Sequence, residues 1–114
     1  MEKSFCFVSD FLNFQKNFPN DNIKKKLINI FLDELSDKLH ELEGSFANRD
    51  IKSFKYLIHH IKGMVANMRF SSLLKEIEKI NEITNKELFP DKELFESLLQ
   101  KLKDIIIYLK NFDI

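Results

Sequence analysis

Apolar residues recur every three or four positions along most of the chain, the spacing that lines one face of an α-helix. The pattern predicts five helical segments. The first is short, about residues 10–17, with Ser9 as its N-cap. Pro19-Asn20-Asp21 interrupts it, and Asn20 or Asp21 can cap a long second segment over about 22–46. The inward stripe of this segment reads Ile23, Leu27, Ile30, Phe31, Leu35, Leu39, Leu42 and Phe46. Asn48-Arg49-Asp50 is the next break, and Asp50 caps a third segment over about 51–68. Ser71 or Ser72 starts a fourth, to about Asn85, with Leu73, Leu74, Ile77, Ile80 and Ile83 inward. Phe89-Pro90-Asp91 is a turn, and Glu93 and Glu96 behind Asp91 favour a helix start. The last segment runs to about Asn111 on a stripe of Leu94, Phe95, Leu98, Leu99, Leu102, Ile105, Ile106 and Leu109. Four long amphipathic helices on short loops predict an all-α fold, an antiparallel four-helix bundle over residues 22–112. The short helix and loop of residues 1–21 should cap one end, within a single domain spanning 1–114.

Composition agrees with that outline. Only two Gly and two Pro occur, too few for the many turns of a sheet protein of this size, and 44% of residues are hydrophobic, enough for a core. Eighteen basic residues balance eighteen acidic ones, which argues against a nucleic-acid partner because such proteins carry a basic excess. Cys6 is the one cysteine, so no internal disulfide forms, and it reads as a small apolar residue. No apolar run approaches the roughly 20 residues of a membrane span. Residues 1–6 carry charges early and lack a long apolar stretch, so no signal peptide is expected and a cytoplasmic location is. The wealth of Lys, Asn, Ile and Phe points to an A/T-rich genome and so to a bacterial source. Met1 and the end at Ile114 favour a small independent protein.

Candidate chemistry lies on the third segment. On a wheel of about 100° per residue with His59 at zero, Phe54, Leu57, Ile58, Ile61, Met64, Val65 and Met68 fall between about 140° and 260°. His59 therefore points away from the buried stripe. Lys55 precedes it by four positions, Lys62 follows by three and Gly63 by four, and such residues are neighbours on a helix surface. Lys52 and Ala66 extend the ridge. Gly63 costs about 1 kcal/mol in mid-helix relative to alanine. It either lets another molecule approach His59 closely or reflects drift or crowding against a loop.

Phosphoryl transfer suits this arrangement. An uncharged imidazole offers a nitrogen lone pair, and an acceptor needs little beyond exposure, position and nearby positive charge, which Lys55 and Lys62 supply. No Gly-rich phosphate loop occurs, so the group should come from another protein rather than from bound ATP.

The run His59-His60-Ile61-Lys62-Gly63, continued by Met64-Val65-Ala66-Asn67-Met68, resembles the His-x-x-Lys-Gly signature of histidine-containing phosphotransfer (HPt) domains of two-component phosphorelays. Residues 31–50 resemble the family's preceding helix, with the aspartate that opens the histidine helix, and residues 73–82 its following helix, so that about 23–112 is covered. The resemblance implies that His59 accepts a phosphoryl group from the phospho-aspartate of a response-regulator receiver domain, or of a hybrid sensor histidine kinase, and passes it to another receiver. It implies that Lys62 stabilises the phosphoryl charge and that Gly63 gives the partner clearance. No kinase activity of the chain's own and no bound cofactor are implied; the magnesium ion belongs to the receiver. The chain departs from the family at Met64, where a small residue is usual, and at Arg69, often glycine.

Other candidates compete with this reading. His60 lies about 100° round the wheel, and its spacing to Lys62 and Gly63 does not fit the signature. His40 reads as a surface residue, and a zinc site from His40, His59 and His60 lacks a supporting spacing. Asp33, Glu34, Asp37, Glu41 and Glu43 read as a solvated acidic face, and most of the twelve Phe as core. Lys55, Tyr56, Ala66 and Asn67 are the expected docking residues for a receiver, exposed apolar surface such as Tyr56 often marking interfaces. Two other functions remain: a helical adaptor that binds receiver or kinase domains without carrying phosphate, and the phosphoacceptor module of a chemotaxis-type histidine kinase. A monomer is expected.

Overall fold

The computed structural model describes residues 21–68 and 70–111. Among them are four α-helices and no strand: α1 Asp21–Ala47, α2 Ile51–Asn67, α3 Ser71–Asn85 and α4 Lys92–Lys110. The helix expected at 10–17, its Ser9 cap, Cys6, the Asn20 cap position and Arg69 lie outside the described residues. None of the described helices is long and apolar enough to cross a membrane.

The helix starts follow their capping residues. Asp50 accepts a bond from the Ser53 amide at 3.3 Å and another from the Ser53 hydroxyl at 2.9 Å, which fixes the first turn of α2. Asp91 does the same for α4 through the Leu94 amide at 2.9 Å. The exit from α1 is a Schellman turn, in which the Asp50 amide donates to Ser45 O and the Arg49 amide to Phe46 O. That turn holds Arg49 at φ 56°, a left-handed backbone that glycine normally fills. The Arg49 guanidinium lies 4.9 Å from the Phe46 ring centroid and 5.1 Å from that of Phe89, a cation–π contact that offsets part of the strain. Glu87, just past the end of α3, is also left-handed, at φ 62°, with its amide bonded to Thr84 O at 2.9 Å.

Each helix buries one stripe in a common core. In α2 every residue placed inward by the wheel is buried, Met68 at its C-cap included. Helix α2 packs on α1 and α3, and α4 packs on α1 and α3. At the end of the molecule where the 48–50 and 86–91 loops lie, four rings lock together. Phe46 stacks on Phe95 with centroids 4.1 Å apart, and Phe54 sits 5.2 Å from Phe89 and 5.4 Å from Phe95. Aromatic pairs at such distances add about 0.5–1.5 kcal/mol beyond burial. Phe54 is wholly buried, so this cluster ties the start of α2 to the turn after α3. The buried Ser45 and Thr84 hydroxyls bond to carbonyls within their own helices, so neither leaves a polar group unsatisfied.

The stripe expected on the long helix needs correction. Ile23 and Ile30 are 49% and 57% exposed, whereas Ile28 and Leu32 are buried with Phe31, Leu35, Leu39 and Leu42. Steps of three and four residues turn the wheel in opposite directions. A stripe read by spacing alone drifts, and Ile23 and Ile30 end about 220–240° round from Leu35. Leu74, Ile83, Leu94, Ile106 and Phe46 are half-buried at the rim of the core rather than inside it.

Candidate functional site

The cap at Asp50 and the anchor at Phe54 set the rotation of α2, and the rest of its outward face follows from the helical turn. His59 is exposed on that face. His60, its neighbour, is half-buried, and its Nε2 is enclosed without a hydrogen-bond partner among the described residues. The two adjacent imidazoles thus differ in access: a molecule approaching the ridge meets His59 first.

Around His59 the surface opens into a shallow groove between α2 and α3. Lys52, Lys55, Tyr56 and His59 line it from α2, Asn81 and Asn85 from α3, and Glu87 from the turn beyond. Tyr56 is 61% exposed. Lys55 does not stand free on the ridge: its Nζ lies 2.9 Å from Glu87 Oε2. Phe54 and Phe89 flank this ion pair in sequence, and their ring contact brings the two segments into reach. Lys62 is half-buried and makes no ion pair among the described residues.

Gly63 is exposed, and a Cβ placed on it would meet nothing within 4 Å. Among the described residues no loop crowds it. Ala66 and Asn67 continue the exposed surface, while Met64 packs into the core, 8% exposed. Beyond them a second, more apolar groove runs between α1 and α2, lined by Leu27, Ile30, Phe31, Glu34, Met64, Asn67 and Met68.

Three of these features escaped the sequence reading. Asn81 and Asn85, one helical turn apart on α3, had the spacing of a common face, and that signal was there to be read. Glu87 had none, because its partner lies 32 positions away. Ile30, which the spacing predicts inward, instead lines the apolar groove. His40 is exposed, as are Asp33, Glu34, Asp37 and Glu41, while Glu43 pairs with Lys103 across 3.1 Å. Among the described residues no group of three or more His, Cys, Asp and Glu side chains is placed to hold a metal ion. No family model, curated protein or solved structure matches the chain.

Proposed function

We propose that this protein is a phosphorelay intermediate of the HPt kind, which takes a phosphoryl group on His59 from a receiver-domain aspartate and gives it to another receiver. The observation that carries this reading is the exposure of His59 on a ridge where Gly63, one turn on, leaves open space. In the transfer, the unprotonated ring nitrogen of His59 forms an N–P bond as the P–O bond to the aspartyl carboxylate breaks. The carboxylate leaves with the electron pair, and the proton on the second ring nitrogen stays on the imidazole. The onward step is the reverse, with a new carboxylate attacking phosphorus. Positioning and charge do the work in such a reaction. Lys62 supplies charge, and the magnesium ion comes with the receiver. The chain acts as a carrier with no kinase activity of its own.

The architecture proposed to support this role is an antiparallel four-helix bundle, monomeric and cytoplasmic. Short loops and the pairing of each helix with its sequence neighbours favour that arrangement. The partner is a receiver domain, free or within a hybrid sensor kinase. It would rest on Tyr56, Ala66 and Asn67 and reach the apolar groove beside Ile30.

Incubation with a phosphorylated receiver should deposit acid-labile, base-stable phosphate on the protein. His59→Gln should abolish it, and His60→Gln should leave most of it. Labelling that survives His59→Gln would overturn the assignment. Receiver binding without labelling would favour an adaptor instead.

A further inference from the structure

We infer that Glu87 holds Lys55 in waiting: its carboxylate occupies the ammonium while His59 is bare and yields it to the phosphoryl group once His59 is modified. This rests on the reading of His59 as the phosphoacceptor. Lys55, Glu87 and His59 line one groove, so the lysine has both anions within one open space. Lys55 is four residues before His59, the spacing at which two helical side chains meet. The Lys55–Glu87 pair is 2.9 Å long, yet its side chains are 40% and 59% exposed. Exposed pairs of this kind contribute little and exchange readily. A phosphoryl group carries more negative charge than a carboxylate and presents more acceptor oxygens, so it wins the lysine.

The two partners differ in freedom. Lys55 has a long flexible stem. Glu87 sits on a left-handed backbone at φ 62°, its amide bonded to Thr84 O and its turn clamped by Phe89 against Phe54. Exchange therefore swings the lysine and leaves the turn in place. Lys62, with no ion pair among the described residues, serves at all times, and Lys55 joins it only after transfer.

The test uses the intact protein phosphorylated with phosphoramidate, a small-molecule donor, and follows the phosphohistidine ³¹P signal against pH. If Lys55 moves to the phosphoryl group, Lys55→Gln raises that group's proton affinity. Glu87→Gln removes the competing carboxylate and should lower it about two- to fivefold, the range set by exposed ion pairs. In a Lys55→Gln background the Glu87→Gln change should have no further effect. Phosphohistidine on His59 whose titration is unmoved by Lys55→Gln, or an undiminished Glu87→Gln effect without Lys55, would overturn the exchange alone. Absence of phosphohistidine at His59 from both phosphoramidate and receiver would overturn the phosphoacceptor reading itself.

Discussion

Gly63 and Gly44 form a natural pair for testing what a glycine is for. Both lie inside helices, both are exposed, and a Cβ on either meets nothing within 4 Å. Alanine at either position should therefore raise stability by about 1 kcal/mol through helix propensity alone, read by urea denaturation. Their functional effects should diverge. Gly63→Ala puts a methyl group one turn from His59 and should slow phosphotransfer from a receiver, whereas Gly44→Ala should leave the rate unchanged. Equal rates for both variants would remove Gly63 from the docking surface. The orientation of His59 was legible in the sequence because it depends only on local helical geometry around seven apolar neighbours. The engagement of Lys55 was not legible. Its partner, Glu87, is fixed by tertiary packing across 32 positions, and no local pattern encodes that.

At the scale of elements, capping chemistry and periodicity set most of the fold. Asp50 and Asp91 cap α2 and α4, and the ends of all four helices fall within two residues of their expected places. The misplaced part of the α1 stripe comes from consecutive steps of four: Ile23, Leu27, Phe31 and Leu35 each turn the wheel about 40° further, so the first of them lies well off the buried face, and Ile30 lies beside Ile23 rather than beside Leu35. The ring cluster of Phe46, Phe54, Phe89 and Phe95 could be foreseen as core but not as a clamp, since four separate segments of sequence build it. Phe54 is its fully buried member. Phe54→Ala should cost about 3–5 kcal/mol in urea unfolding. It should also shift the Glu87 backbone amide in an NMR spectrum, because the turn that carries Glu87 loses its anchor. A loss below 1 kcal/mol would show that the rings do not tie the loops together.

For the molecule as a whole, the ridge of α2 separates two unlike flanks. One is the polar groove of Lys55, Asn81, Asn85 and Glu87, and the other is the apolar groove beside Ile30 and Met64. Ile30 is 57% exposed, so Ile30→Lys should leave the unfolding midpoint nearly unchanged. It should nevertheless weaken receiver binding several-fold, measured by titration calorimetry, if the partner covers that groove. Unchanged affinity would confine the contact to the ridge and the polar side. The difference between the flanks also gives the surface a compass direction. A ridge with matching sides would accept a partner equally well after a half-turn about the axis through His59, and only one of those poses would line up the reacting atoms. With ammonium and amide groups on one bank and aliphatic side chains on the other, the two poses would differ in energy, and a receiver docking as proposed would land facing one way.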